Sequence, residues 1–195
     1  ARSDVEQVIP VYNPQIRYIQ FAGSDKKFTS DVSSYDSTII NEVVEGNLPE
    51  LGTQLAVDEV AIPSSFADTL VEQKIIEKPA DMIGREVVIT VSAATARPSS
   101  EDVMIAFLTG GEDAVVALTQ PKTKDITLKI VALTKQSATA LNGSSALQIS
   151  TEQARQVAEY TTQGTDAYQK YIAVTLLAKP GVEPEELKAT LTKEG

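Results

Sequence analysis

Alternating apolar and polar positions mark the start of the chain. One run extends from Val5 to Val11 and a second from Ile16 to Phe21, with Asn13-Pro14 between them and Gly23-Ser24-Asp25 after them. Alternation with a period of two residues is typical of strands that bury one face, and Asn, Pro, Gly and Asp favour turns. The pattern predicts two strands followed by a polar loop.

The segment from Tyr35 to Val44 allows two interpretations. Its β-branched residues recur at a spacing compatible with a helix, whereas β-branching itself favours a strand. The residues alone leave both the helix and the strand open.

A helix is predicted directly after Pro63. Phe66, Leu70 and Val71 share one face at helical spacing, and either Ser64 or Ser65 can cap the first turn.

Two further strands are predicted, one after Gly84 and one after Asp125. The run from Val87 to Val91 follows Gly84 and is rich in β-branched residues, as in a largely buried strand. From Ile126 to Leu133 apolar and polar residues alternate, which places one face on a core and the other in water.

A long connection from Ser92 to Asp125 joins these two strands. It holds a helical candidate, Asp102 to Leu108, and an apolar stretch, Ala114 to Leu118, which follows Gly110-Gly111. Connections longer than about 15 residues usually contain structure of their own, so we expect an inserted helix or hairpin here.

The last third of the chain has the clearest signals. Ser150-Thr151-Glu152-Gln153 has the form of a capping box and predicts the start of a helix. Tyr171 to Ala178 reads as a strand and Lys179-Pro180-Gly181 as a turn. Glu183-Pro184-Glu185-Glu186 then opens a final helix, because Pro and acidic residues favour the first turn.

Composition places the chain among ordinary globular proteins. Of its 195 residues, 42% are hydrophobic and 23% charged, and the net charge is −10. A surface this acidic repels phosphate backbones, so nucleic acid is excluded as a partner. The longest apolar runs are far shorter than the roughly 20 residues that span a bilayer.

The residue types needed for common catalytic centres are missing. The chain has no His and no Cys, which excludes Ser-His-Asp triads, thiol nucleophiles and zinc sites built on imidazole. Carboxylate pairs occur at Glu101-Asp102, Glu112-Asp113 and Glu185-Glu186, but neighbours in sequence do not face each other on a helix. We expect them to be solvated or capping groups.

Short motif matches do not change this picture. Ser24-Asp25-Lys26-Lys27 fits the S-x-x-K pattern of penicillin-recognising enzymes, but its companion motifs are missing. Asn142-Gly143-Ser144 fits the glycosylation sequon and is interpreted as a turn. Phosphate-binding glycine motifs and EF-hand ligand series are also missing. The sequence predicts no catalytic, cofactor-binding or metal-binding residues.

Seven segments in sequence order resemble the extracytoplasmic domain of MacB-like and FtsX-like ABC-transporter permeases. They are Val5 to Pro10, Glu45 to Pro49, Asp58 to Ile62 with the helix around Leu70, Ile83 to Arg85, Leu128 to Leu133, Leu147 to Ser150 with its helix, and Ile172 to Leu191. Asn47 and Ala132 depart from the usual basic residue and glycine of two of these motifs, and the segment from Ser92 to Asp125 exceeds the usual connection.

The resemblance implies an α+β fold in two parts. A porter-like subdomain would comprise residues 1–42 and 168–195, and a sabre-like α/β subdomain, residues 43–167, would be inserted in it. The function implied is mechanical transmission and partner docking on the extracytoplasmic side of the cell membrane, without catalysis and without a cofactor. The partners implied are a cytoplasmic ABC ATPase, acting through the parent permease, a second permease copy or paralogue, and a membrane-fusion adaptor.

Two other classes of protein fit the same residues. One is a free-standing exported ligand-binding or adhesion domain, for which the acidic, His-free composition is equally suitable. The other is a hydrolase that uses carboxylates alone, which needs two carboxyl groups about 5 to 9.5 Å apart in a cleft.

Overall fold

Two sheets and four helices make up an α+β fold. The computed structural model describes residues 4–12, 14–94, 98–135 and 146–194. The strands are β1 (Val5–Val11), β2 (Tyr18–Phe21), β3 (Lys27–Phe28), β4 (Val32–Ser34), β5 (Val43–Gly46), β6 (Glu59–Pro63), β7 (Glu86–Ser92), β8 (Thr123–Thr134), β9 (Leu147–Ile149) and β10 (Ala173–Ala178). The helices are α1 (Ser64–Glu72), α2 (Ser100–Thr119), α3 (Thr151–Thr162) and α4 (Pro184–Glu194), and a 3-10 turn covers Pro79–Met82.

The larger sheet has eight strands in the order β3-β2-β7-β8-β6-β9-β4, with β5 also paired to β8. Strand β8 pairs antiparallel with β7 along Thr123 to Lys129 and parallel with β6 along Lys129 to Thr134. The second half of β8 also pairs antiparallel with β5. The twelve-residue strand β8 therefore pairs with three other strands.

The main core lies on one face of this sheet. Val60 and Ile62 of β6 belong to it, together with buried residues of α1 and α3, whereas Ala61 between them packs in a smaller cluster with Tyr35 and Ala132. Successive residues of a strand point to opposite faces, so the two clusters lie on opposite sides of the sheet. Helices α1 and α3 thus cover the same face.

The smaller sheet contains β1 and β10 only. These strands pair antiparallel from Val5↔Ala178 to Val11↔Ala173, and helix α4 follows β10 after a turn. We call β1, β10 and α4 the terminal unit and the eight-stranded sheet with α1 and α3 the large-sheet unit. Tyr12, just after β1, donates its backbone N–H to the Ser34 hydroxyl at 3.1 Å and joins the two.

The predicted boundary at residue 42 can be compared with the division of the chain between the two sheets. Strands β2, β3 and β4 pair within the large sheet, although the prediction assigned residues 1–42 to the porter-like part. The boundary at residue 42 therefore does not coincide with a division between sheets.

Most predicted elements are present. Strands β1, β2, β7, β8 and β10 and all four helices appear where the patterns indicated, and the Ser150 hydroxyl accepts a hydrogen bond from the Gln153 N–H, which is one of the two bonds of the predicted capping box. The ambiguous segment is neither a continuous helix nor a continuous strand, because a turn at Asp36 to Ile39 precedes β5.

One capping prediction is wrong. The N-cap of α1 is Pro63, which has no side-chain cap, and Ser64 is already the first helical residue. Strand β6 runs directly into the helix, so neither serine precedes the first turn, where a capping hydroxyl has to lie. The sequon residues Asn142 to Ser144 lie outside the described residues.

Gly46 is held in a conformation that requires glycine. Its φ is +78°, and a Cβ there would collide with the backbone oxygen of Val131 and lie 2.9 Å from Ile83 Cδ1. The close approach arises because Asn47 donates its N–H to the same Val131 oxygen at 3.0 Å.

We predict that Gly46→Ala lowers the free energy of unfolding by about 2–4 kcal/mol, through backbone strain and the collision with Val131. Urea unfolding measures this. The matched control is Gly52→Ala, because Gly52 has φ +86° but nothing within 4 Å of its Cβ position. The control should lose about 1 kcal/mol. Equal losses in both variants would show that the collision is unimportant.

Arg155 holds Glu152 in the first turn of α3. Its Nε and Nη2 donate to the two carboxylate oxygens at 3.0 and 2.6 Å, and Gln156 Nε2 donates to Oε1 at 2.8 Å. These bonds, those from Arg155 first, lower the pKa of Glu152 from 4.5 to about 2.

We predict that Glu152→Gln destabilises the fold at neutral pH but hardly at all at pH 2. A lowered folded-state pKa gives stability that is present above pH 4.5 and is lost as the pH falls towards 2. Because both side chains are more than a third exposed, the deficit at pH 7 should stay below about 1 kcal/mol. Urea unfolding at both pH values tests this, and an equal deficit at pH 7 and pH 2 would contradict it.

Candidate functional site

Open grooves and exposed apolar surfaces are the distinctive features of the described surface. Four grooves have volumes of about 430, 400, 530 and 780 Å³. Three exposed apolar regions stand out: helix α2, the loops around β5, and the groove between β10 and α4.

Helix α2 is an exposed arm inserted between β7 and β8. It bends at Gly111, where φ is +66° and ψ is −155°, a conformation open to glycine, so the arm comprises two helical halves. At Gly110 a Cβ would lie 2.7 Å from that of Ala114, so the second half starts close against the first. We call residues 100–119 the helical arm.

No residue of the helical arm is buried. Phe107 is 57% exposed and Leu108 77%, values that are unusual for such large apolar side chains. The other exposed large apolar residues of the arm are Met104, Ile105, Val116 and Leu118. A helix that is apolar on all sides is normally enclosed by other elements. The helical arm therefore offers an apolar surface without a partner in this structure.

Negative charge accompanies this apolar surface. The arm contains Glu101, Asp102, Glu112 and Asp113 and no Lys or Arg. The Asp102 carboxylate accepts hydrogen bonds from the Ser99 hydroxyl at 2.6 Å and from its N–H at 3.1 Å, and these bonds lower the pKa of Asp102. The arm is therefore anionic at neutral pH.

The root of the arm is firmly attached to the large sheet. The β7–β8 ladder continues to the pair Ser92↔Thr123, and Ala93 then donates its N–H to the Lys122 oxygen at 2.8 Å. Helix α3 adds two contacts: Ala94 donates its N–H to the Thr161 oxygen at 3.1 Å, and the Tyr160 hydroxyl lies 3.4 Å from the Lys122 oxygen.

The connections to the terminal unit lie at the same end of the sheet. Before β2, Arg17 donates its N–H to the Thr90 oxygen at 2.8 Å, two residues from the end of β7. Thr161, which contacts the arm root, lies in the last turn of α3, after which the chain returns to β10. The arm and the terminal unit therefore attach to one end of the large sheet.

The terminal groove lies between β10 and α4. Its volume is about 530 Å³, and its apolar lining includes Leu176, Leu187 and Leu191. The charged residues among its lining are Lys179 and Lys188, without an acidic residue. This groove combines an apolar floor with positive charge.

The loop patch is the third exposed region. Ile40 is 82% exposed and Leu51 64%, and Ile39, Val43 and Val44 are exposed around them. A groove of about 400 Å³ is lined by these residues except Val44, and also by Tyr35, Leu48 and Pro49. Unlike the other two regions, its lining residues include no charged side chain.

The residues singled out as candidate chemical groups line none of the four grooves, although Glu185 and Glu186 lie between Pro184 and Leu187, which line the terminal groove. Both carboxylates of each pair, Glu101-Asp102, Glu112-Asp113 and Glu185-Glu186, are exposed on α2 or α4. The Ser24 hydroxyl accepts a hydrogen bond from the Lys26 N–H at 3.2 Å within its own turn. Lys27 Nζ instead lies 4.2 Å from the Tyr18 ring centre.

The described ranges contain neither a cluster of metal ligands nor a helix that could span a membrane. No group of three or more acidic side chains there could hold a metal ion. No helix there has both the length and the hydropathy of a membrane span.

Sequence reasoning located the arm but missed its exposure and the groove. The apolar runs of the arm, Val103 to Leu108 and Ala114 to Leu118, extend round the helix axis, a pattern that normally indicates burial. The terminal groove combines β10 with the distant residues of α4, and their spacing in the sequence does not show which side chains share a surface.

We predict that the helical arm adds nothing to the stability of the fold. Phe107→Ser should change the free energy of unfolding by less than about 0.5 kcal/mol, because the side chain is exposed. Leu128→Ala, in the main core, should cost about 2–5 kcal/mol. Urea unfolding of both variants at low protein concentration tests this, and a loss above about 1 kcal/mol for Phe107→Ser would contradict it.

Comparison with known proteins gives a likeness of fold. No family model and no curated protein matches the chain. Among solved structures, the crystal structure of "a domain of a putative permease protein" from Porphyromonas gingivalis is similar, with a TM-score of 0.50 and 12% sequence identity. The match covers 97% of this chain and 69% of that one. The chain therefore shares the α+β fold of a permease-associated domain.

Proposed function

We propose that the chain is the extracytoplasmic domain of an ABC-transporter permease of the MacB-like and FtsX-like kind. In this proposal it transmits conformational change and docks partners during export or during the handling of lipoproteins or peptides. The fold shared with a permease domain supports the proposal, and so does the order of the seven segments that resemble this family.

The pairing of β1 with β10 supports the mechanical role most directly. The chain enters the large-sheet unit after β1 and returns from it into β10, and the two strands pair over their whole length. A movement applied to the terminal unit would therefore reach the large-sheet unit through two adjacent connections. In the proposal the terminal unit has the porter-like role and the large-sheet unit the sabre-like role.

The chain itself performs no reaction in this proposal. The carboxylate pairs are exposed rather than gathered in a cleft, and no His or Cys exists to form a nucleophile system. Energy would come from a cytoplasmic ATPase acting through the rest of the permease. A second permease copy or paralogue and a membrane-fusion adaptor are the further partners that we propose.

Site-specific labelling in a bacterium that produces the full-length protein tests the location and membrane attachment. The chain has no cysteine, so Leu51→Cys gives this domain its only thiol, on a side chain that is 64% exposed, and the protein without the substitution gives the background labelling. We expect a membrane-impermeant maleimide to label this thiol in intact spheroplasts and the labelled protein to sediment with the membranes.

Leu133→Cys is the matched control, because Leu133 is fully buried. We expect it to be labelled only after denaturation. Labelling of Leu51→Cys only after cell lysis would contradict the extracytoplasmic location. Recovery of the labelled protein free in the periplasmic or culture fluid would contradict the permease and support the exported ligand-binding or adhesion domain.

A further inference from the structure

We propose that the helical arm of one copy docks in the terminal groove of a second copy, reciprocally in a two-fold pair. The inference rests on the proposed function, since it assigns a surface and a chemistry to the contact with a second permease copy. Its experiment uses the isolated chain, so that it can fail while the membrane labelling succeeds.

The apolar surfaces of the arm and the groove are complementary in form. The arm presents Phe107 and Leu108 as protruding side chains, and the groove is a concave surface lined by Leu176, Leu187 and Leu191. Removing apolar surface from water is the main favourable term in protein association, at about 25 cal/mol per Å². Docking of the arm in the groove would remove both apolar surfaces from water.

Charge identifies the groove rather than the loop patch as the receiving surface. All charged residues of the arm are acidic, whereas Lys179 and Lys188 are the charged residues that line the groove. The lining of the loop patch contains no charged residue to pair with the arm. Arm-to-arm pairing would bring eight carboxylates together, which is unfavourable.

A lipid surface is a poorer partner for the arm. Glu112 and Asp113 directly follow the bend, so insertion of the bend into a bilayer would take two carboxylates with it. Anionic headgroups would also repel all four acids of the arm.

The positions of the two surfaces suit exchange between copies. The arm and the terminal unit attach to the same end of the large sheet, so a two-fold axis near that end would bring each arm towards the other copy's groove. A reciprocal contact of this kind closes as a pair and does not form filaments.

Tryptophan fluorescence provides the test, because the chain has no Trp and Phe107→Trp makes the arm its only source of Trp emission. In 0.15 M NaCl, which screens the net repulsion between copies, we expect the emission to shift to the blue as protein concentration rises from about 1 µM to 1 mM. Sedimentation equilibrium should show monomers becoming dimers over the same range. Leu51→Trp, in the loop patch, is the control reporter and should not shift.

Charge exchange then identifies the partner surface. In the Phe107→Trp background, Glu112→Lys with Asp113→Lys should weaken dimerisation at least about tenfold, and so should Lys179→Glu with Lys188→Glu. All four changes together should restore it to within about threefold, because arm and groove are again complementary.

Four results would overturn the proposal. One is an emission that stays red and a protein that stays monomeric up to about 1 mM. A blue emission at every concentration would mean that the arm docks within its own chain. Dimerisation that ignores the change at Lys179 and Lys188 would indicate another surface. A shift caused by phosphatidylglycerol vesicles, but not by a rise in protein concentration, would indicate a lipid partner.

Discussion

The structure depends on the pairing of β8 with three other strands. Its first half pairs with β7, and its second half lies between β6 and β5. The main core lies against one face of this strand, through Leu128, Ile130 and Leu133, and Ala132 faces the smaller cluster on the other side. Because the arm root, helix α1 and the Gly46 turn all attach to strands paired with β8, their positions follow from this one ladder.

Much of the fold could be predicted from the sequence, because long elements have a clear period. The alternation from Ile126 to Leu133 indicated β8, and Ser150 with Gln153 indicated the start of α3. Strands of two or three residues, such as β3, β4 and β9, contain too little pattern to reveal a period. The parallel β4–β9 ladder pairs Val32 with Leu147, more than 100 positions away, and cannot be read from local spacing.

The candidate surfaces were harder to predict, because the exposure of a side chain depends on how the whole chain folds around it. The apolar runs of the helical arm carry the local signal for a buried helix, yet no residue of the arm, which follows the β7–β8 ladder, is buried. The absence of His and Cys, by contrast, is visible at once in the sequence. Local sequence patterns therefore predicted the buried strands and helices better than the exposed surfaces.

Hydrogen bonds close the root of the arm, so the geometry of the sheet does not depend on the length of the arm. Since Ser92 and Thr123 are already paired and Ala93 is bonded to Lys122, residues beyond that point can vary without changing the strand register. Doubling the length of a flexible loop costs only about 0.6 kcal/mol. The connection between β7 and β8 is thus an insertion site, at which evolution or an engineer can introduce a reporter protein or a new binding domain.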